Sequence, residues 1–145
     1  MVRVKSRYIV VQILPHESCT GNVSFNDGIL TKSFLKYIKQ YYGDFGVGSV
    51  ENGFRIKYCN DKTKIAIIRC RHKPHRFVAS ILPLITVIGD YRAKYRTLYT
   101  GATIMQCNKF IVNHQKAFLD RMVGRIASAK ERNDLIKNVL EFELA

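Results

Sequence analysis

The feature that most restricts the fold of this chain is the order in which strand-like and helix-like patterns follow one another. Residues 8–14 form a short run rich in Ile and Val, whose length and β-branching predict a strand. Apolar side chains over residues 30–41 then recur at helical spacing, with Asp27 placed to cap that helix and Gly43 placed to end it. The chain therefore opens with a strand followed by a helix.

The same two patterns repeat in the next sixty residues. Residues 45–58 predict a second strand and residues 63–70 a third, and the short turn between them indicates a hairpin. A second helix is predicted over residues 74–88, with a kink at Pro83, and a fourth strand over residues 95–100. The order β-α-β-β-α-β predicts an α+β, ferredoxin-like (RRM-like) fold with a four-stranded antiparallel sheet and both helices on one face.

Beyond residue 100 the pattern becomes helical. A third helix is predicted from about Thr103 to a break at Gly124, and Ser128 with Glu131 forms a capping box that opens a last helix. The apolar stripe of that last helix consists of Leu135, Ile136, Val139 and Leu140. We therefore expect a core domain over residues 1–112 and a helical extension over residues 113–145, packed on the core or on a protein partner.

Positive charge is concentrated in the predicted core domain. Residues 1–112 carry 18 of the 24 Lys and Arg side chains and 6 of the 11 Asp and Glu side chains, a net charge of +12. A block this basic repels itself unless a polyanion neutralises it, so the charge indicates nucleic acid as the partner.

Several other classes of protein fit the sequence poorly. The apolar run over residues 77–88 is too short to span a bilayer and contains Pro83, and residues 8–14 are too short for a secretory signal, so we expect no membrane partner. Without export, the four cysteines are expected to be reduced thiols in a cytosolic or nuclear compartment.

The sequence also contains few patterns that are typical of metal binding or catalysis. Cys59, Cys70, His72 and His75 match no common zinc spacing, and the acidic residues of the basic block fall singly in predicted loops. A metal-dependent nuclease needs carboxylates that converge on a divalent ion. We therefore predict no metal site and no catalytic residue on this chain.

The segment that enters the third helix is the best candidate for a phosphate contact. A helix N-terminus presents unpaired N–H groups, Gly101 would allow close approach, and the Thr103 hydroxyl would either cap the helix or bind the anion. The alternative is an ordinary capped turn. The third predicted strand has no aromatic side chain for base stacking, so RNA would be held through its phosphates and its shape.

The motifs taken together resemble the Pop-five family, a small protein subunit of the ribonucleoproteins ribonuclease P and ribonuclease MRP. They are Arg7-Tyr8, Phe54-x-Ile56-Lys57-Tyr58, Arg69-Cys70-Arg71, Thr97-Leu98, Gly101-x-Thr103-Ile104 and Cys107-x-Lys109-Phe110. Lys64 and Ala102 stand where the family often carries glycine, and Met105 stands where a basic residue is common. The match ends near residue 112.

The resemblance implies a non-catalytic subunit that lies against a catalytic RNA and pairs with another protein subunit. The complexes remove 5′ leaders from precursor tRNA and process rRNA precursors in the nucleus and nucleolus, so precursor tRNA is an indirect partner. No cofactor is implied for this chain, because magnesium would be bound by the RNA.

The candidates for RNA binding are cationic residues together with two residues at the start of the predicted third helix. They are Lys5, Arg7, Lys57, Arg71, Arg92, Lys94, Arg96, Gly101, Thr103 and Lys109. The alternatives are a free-standing RRM-like module that binds single-stranded RNA, a protein-only enzyme of ferredoxin-like fold, and a ribosomal protein.

Overall fold

The structure is a computed structural model that describes residues 3–18 and 24–123, together with residues 131, 133, 134, 136 and 137. The chain divides into two compact units, Met1–Cys107 and Asn108–Ala145. The elements are β1 (Ser6–Pro15), α1 (Asp27–Glu51), β2 (Arg55–Asn60), β3 (Ile65–Arg71), α2 (His75–Ile81), a 3₁₀ turn (Leu82–Leu84), β4 (Val87–Ile88), β5 (Tyr91–Gly101) and α3 (Ile104–Val123).

The strands form one antiparallel sheet in the order β2-β3-β1-β5-β4. The predicted α+β class is confirmed, and the four predicted strands overlap β1, β2, β3 and β5. The predicted number of strands is wrong, because the two-residue strand β4 adds a fifth at the edge next to β5.

The core lies between one face of the sheet and the helices α1 and α2. Alternate residues of β1, β3 and β5 point to this face because successive side chains of a strand face opposite ways. Its members from the strands and the two helices include Ile9, Val11, Ile13, Ile68, Leu30, Phe34, Ile38, Val78 and Ile81. On the other face, Val10, Ile65 and Ile67 are also buried.

The first helix differs from its prediction at both ends. Its N-cap is Asn26 rather than Asp27, because the Asn26 side chain accepts a hydrogen bond of 2.9 Å from the backbone N–H of Ile29. Gly43 interrupts the helix with φ 68° and ψ −161°, but the chain then resumes helical geometry up to Glu51. Residues 45–51 were predicted as strand, and that prediction is wrong.

The second helix is shorter than its prediction. It ends at Ile81 and is followed by the 3₁₀ turn that contains Pro83, so residues 85–88 are not helical. The backbone N–H of Val87 instead donates to the Tyr37 hydroxyl at 3.2 Å, which ties this segment to α1. A hairpin then joins β4 to β5 through the turn at Gly89, where φ is 60°.

The second unit contains most of α3. Ile111, Gln115 and Leu119 recur every four residues and are buried, so one face of this helix is covered. The rings of Phe110 and His114 stack at 5.8 Å. Gly124, Ser128, Leu135, Val139 and Leu140 lie outside the described residues; Ile136 is helical and half-buried.

Candidate nucleic-acid interface

Cationic side chains gather at the end of the sheet where β1 begins and β3 ends. Ser6 pairs with Arg71 in the β1–β3 register, and the His72 N–H donates to the Lys5 carbonyl at 2.9 Å, so the ladder continues beyond the strands. The Arg71 guanidinium donates to the Asn52 side-chain oxygen at 3.1 Å. This hydrogen bond orients Arg71 at this end of the sheet.

The glycine next to Asn52 explains how Arg71 fits there. Gly53 has φ 89°, and a Cβ at this position would lie 3.0 Å from the Cγ of Arg71. The arginine stem therefore lies directly over the backbone of Gly53, and a larger residue would displace it.

Two further arginines lie beside Arg71. Arg55 of β2 pairs with Arg69 of β3 in the register, and Arg69 donates from Nε to the Ser6 hydroxyl at 3.4 Å. We call the cations at this end of the sheet the first basic surface; they are Arg3, Lys5, Arg55, Arg69, Arg71, Lys73 and Arg76. Of these, only Lys5 and Arg71 were predicted from the sequence.

A second group of cations lies at the opposite end of the sheet. Arg92, Lys94 and Arg96 are exposed and alternate along β5 with the buried residues Ala93 and Tyr95. They project from the sheet face opposite to α1 and α2, and we call these three side chains the second basic surface. The register pairs Lys94 with Leu14, near the end of β1, which places this surface about 30 Å from the first along the strand.

The turn into α3 is explained by packing and capping within the protein. Gly101 is buried, and a Cβ there would lie 2.9 Å from the Tyr99 ring and 3.4 Å from the Cys107 sulfur. The backbone N–H of Gln106 donates to the Thr103 hydroxyl at 3.3 Å, so Thr103 caps the helix. Phosphate binding by Gly101 and Thr103 stays a prediction.

The three other predicted contacts lie on β1, β2 and α3. Arg7 is half-buried, pairs with Cys70 in the sheet and donates to the Ser6 carbonyl at 3.2 Å. Lys57 is exposed at a register shift on the edge strand β2. Lys109 is exposed on α3, in the second unit. Within the first unit, the structure does not bring Arg7 and Lys57 into one site.

The three cysteines that the structure describes are poor nucleophiles. Burial raises the pKa of Cys59 and of Cys70 to about 11, and burial also raises the pKa of Cys107. The Cys70 thiol donates weakly to the Arg7 carbonyl at 3.8 Å, as expected for a packed, protonated thiol. Within the described ranges, no group of three or more His, Cys, Asp or Glu side chains is placed to hold a metal ion.

A groove lies beside the first basic surface, and the sequence did not predict it. It has a volume of about 940 Å³, and its lining includes five cations and three aromatic rings. The rings are Tyr42, Phe45 and Phe77, which we call the aromatic cluster. The residues that line the groove are far apart in the sequence. The sequence does not predict the groove, because the break at Gly43 and the start of α2 come together only in the fold.

Comparison with known proteins identifies the family. Residues 7–112 match the family described as the Rpp14/Pop5 family. This chain belongs to the Rpp14/Pop5 family. The matched residues contain β1 to β5 and the first turns of α3, so they include both basic surfaces except Arg3 and Lys5.

Relatives in this family come from distant organisms. The ribonuclease P/MRP protein subunit POP5 of Homo sapiens is 29% identical over 143 residues, which cover 96% of this chain and 87% of the human protein. The protein of the same name from Saccharomyces cerevisiae is 28% identical over 157 residues, covering 95% of this chain and 91% of the yeast protein. The similarity thus extends over nearly the whole length of both relatives.

A solved structure shares the fold of this family member. A chain in the cryo-EM structure of yeast ribonuclease MRP superposes with a TM-score of 0.55 at 15% identity. The superposition covers 71% of this chain and 78% of the yeast chain. In the part of the chain that the structure describes, no helix has the length and apolar character that crossing a membrane requires.

Proposed function

We propose that this chain is a non-catalytic protein subunit of ribonuclease P and ribonuclease MRP. The observation that carries this proposal is the family match over residues 7–112, together with relatives of that name that align over 95–96% of the chain. The complex would remove 5′ leaders from precursor tRNA and process rRNA precursors, in the nucleus and nucleolus.

The chain's part in this work is electrostatic. The two basic surfaces neutralise phosphates of the RNA subunit, and counterion release makes such binding steeply dependent on salt. The RNA is the catalyst in this proposal, and its magnesium ions are bound by RNA rather than by protein. Raised cysteine pKa values support the non-catalytic role, because a thiol with a pKa of about 11 is protonated at neutral pH.

The fold and the extension have specific roles in this proposal. We infer that the sheet is a ferredoxin-like arrangement with the short strand β4 added at one edge, which the order β2-β3-β1-β5 of the four longer strands supports. Leu135, Ile136, Val139 and Leu140 form the apolar stripe that would contact another protein subunit of the complex.

Purification of the tagged chain from nuclear extract tests the identity of the complex. We expect sequencing of the co-purified RNA to recover the RNA subunits of ribonuclease P and ribonuclease MRP, and the eluate to cleave precursor tRNA. Recovery of ribosomal RNA with ribosomal proteins, or of no RNA, would refute the proposal. Cleavage that survives complete digestion of the RNA would show that the protein is the catalyst.

A pair of matched charge variants tests the electrostatic mechanism. Lys5→Ala with Arg71→Ala removes two cations from the first basic surface, and Lys32→Ala with Lys39→Ala removes two exposed cations of α1 that lie outside both basic surfaces. We expect only the first pair to weaken binding of the purified RNA subunit and to lower the slope of log K against log salt by about two. Equal losses for both pairs would show that net charge, rather than the surface, determines binding.

A further inference from the structure

The break in α1 leaves Tyr42 and Phe45 exposed beside Phe77, which itself packs against the core. After Gly43 the helix resumes in a new direction, and a Cβ at Gly46 would collide with Tyr42, so the two helical segments pack closely. The Tyr42 and Phe77 rings meet edge to face at 4.7 Å, and the Phe45 and Phe77 rings at 6.4 Å. The aromatic cluster is thus held between α1 and α2.

The exposure of this cluster is unusual for aromatic side chains. Phe45 is 78% exposed and Tyr42 is 37% exposed, whereas Phe34, on the preceding segment of the same helix, is fully buried. Burial of a phenylalanine side chain is stabilised by the hydrophobic effect, and Phe45 forgoes most of that stabilisation in the isolated chain. A ligand that covers the ring would recover it.

The charged side chains that line the groove indicate what kind of ligand fits. They are Arg3, Lys5, Arg71, Lys73 and Arg76, and no carboxylate occurs among the described residues that line the groove. These cations repel one another until an anion neutralises them. The occupant must therefore carry several negative charges and also present an apolar, flat surface to Phe45.

A nucleotide of single-stranded RNA combines these two properties. Proteins that bind single strands pair a positively charged path for the backbone with aromatic rings on which bases stack. A base inside a duplex has both faces covered by its neighbours, so it has no free face for Phe45. The groove volume of about 940 Å³ lies near the upper end of the range for small-molecule sites, which leaves space for a base and its flanking phosphates.

We propose that this groove binds an unpaired nucleotide of RNA, with the base stacked on Phe45 and the flanking phosphates paired with Lys73 and Arg76. The inference rests on the proposed function, since the RNA would be the one that the subunit accompanies. It adds a contact to a base, which the electrostatic mechanism does not require. It also differs from base stacking on the sheet, because the aromatic cluster lies on α1 and α2.

Binding of a fluorescein-labelled, unstructured ten-nucleotide RNA to the full chain tests the contact. We expect Phe45→Ala to weaken binding by about 5- to 150-fold without changing the salt slope, since stacking is uncharged. Phe45→Trp should retain the affinity, and Tyr41→Ala should not alter it, because Tyr41 is 49% exposed but does not line the groove. Lys73→Ala should lower the salt slope by about 0.7.

A duplex of the same sequence is the matching probe. Phe45→Ala should leave duplex binding unchanged, because the duplex offers no free base. Single-strand affinity that Phe45→Ala leaves intact, while Lys73→Ala weakens it, would refute base stacking and leave electrostatic RNA binding standing. Equal effects of Phe45→Ala and Tyr41→Ala would also overturn the inference.

Ultraviolet cross-linking in the purified complex separates this inference from the proposed function. We expect mass spectrometry to find a nucleotide on the peptide that contains Tyr42 and Phe45. If the complex contains the expected RNA but the cross-links lie only elsewhere, the groove proposal fails and the function stands. If Phe45→Ala instead releases a protein subunit and leaves the RNA bound, the groove is a protein interface. If no RNA co-purifies, the proposed function itself fails.

Discussion

Lys64 provides the sharpest test of how this fold is held together. It lies in the turn between β2 and β3 and has φ 57°. This is the left-handed region, where residues other than glycine have a strained backbone. Its N–H donates to the Asn60 carbonyl at 2.8 Å, and its carbonyl accepts from the N–H of Ile13 at 2.7 Å. These two hydrogen bonds fix the conformation whichever residue stands there.

The strain and the contacts of Lys64 have comparable magnitudes. A left-handed residue with a Cβ costs about 1–2 kcal/mol. Glycine avoids that cost but loses about 0.5–1 kcal/mol more in backbone entropy on folding. The Lys64 ammonium lies 5.4 Å from the centre of the Phe25 ring, a cation–π contact of about 0.5–1 kcal/mol at a partly exposed site.

Two substitutions at this position separate the strain from the contact. Lys64→Ala keeps the strain and loses the cation–π contact, so we expect it to lower the free energy of unfolding by about 0.5–1 kcal/mol. Lys64→Gly loses the same contact but relieves the strain, so it should be more stable than the alanine variant by about 0.5–1 kcal/mol.

Urea unfolding followed by circular dichroism measures this difference, provided that the denaturant slopes of the variants agree. A glycine variant equal to or less stable than the alanine variant would refute the assignment of strain to Lys64.

Three other substitutions have definite expected outcomes. Asn26→Ala should lower the free energy of unfolding by about 1 kcal/mol and by more than Asp27→Ala, because Asn26 makes the capping hydrogen bond; urea unfolding of the two variants decides between them. Tyr95→Phe should raise the melting temperature, because the buried Tyr95 hydroxyl has no hydrogen-bond partner among the described residues; a fall would imply a hidden partner. Burial, with Arg7 and His72 nearby, lowers the pKa of His75 in the folded protein. The unfolded state therefore binds the proton more tightly, and the free energy of unfolding should fall as pH drops below 6.5. His75→Gln should flatten that pH dependence.

The strands were predictable from the sequence because the pattern of their own side chains is typical of β structure. β-branched runs and period-two alternation place β1, β3 and much of β5 correctly. The segment after Gly43 was not predictable in this way, since Gly46 and Gly48 each oppose a helix by about 1 kcal/mol. The helix resumes because tertiary packing outweighs propensity, as the fully buried Val50 at its end shows.

The short hairpin of β4 and β5 was missed for a different reason. The apolar residues before Gly89 have helical spacing, but periodicity cannot distinguish a short buried helix from a buried strand. The pair Gly89-Asp90 between two apolar residues was the available signal, because a two-residue loop with glycine first is typical of a tight hairpin. Val87 of this segment donates from its N–H to the Tyr37 hydroxyl and accepts at its carbonyl from the Ser33 hydroxyl, and these bonds to α1 favour the extended form.

For the candidate site, the sequence predicts a type of ligand but not the arrangement of the side chains. The charge of the first 112 residues indicates a polyanion, yet nothing local shows that Arg55 and Arg69 are neighbours. Their contact follows from the register of β2 and β3, which includes a shift near Lys57. The groove likewise needs residues from β1, α1 and α2 to meet, and the sequence alone does not specify that meeting.

The length of β1 has a consequence for how RNA contacts combine. Its ten residues separate Lys5 and Arg71 from Lys94 by several screening lengths, because mobile ions attenuate charge effects over about 8 Å at physiological ionic strength. Each end should therefore respond to its own phosphates without sensing the other. Losses in binding energy from substitutions at the two ends of β1 should therefore be additive. The strand would then set a fixed distance between two separate stretches of bound RNA.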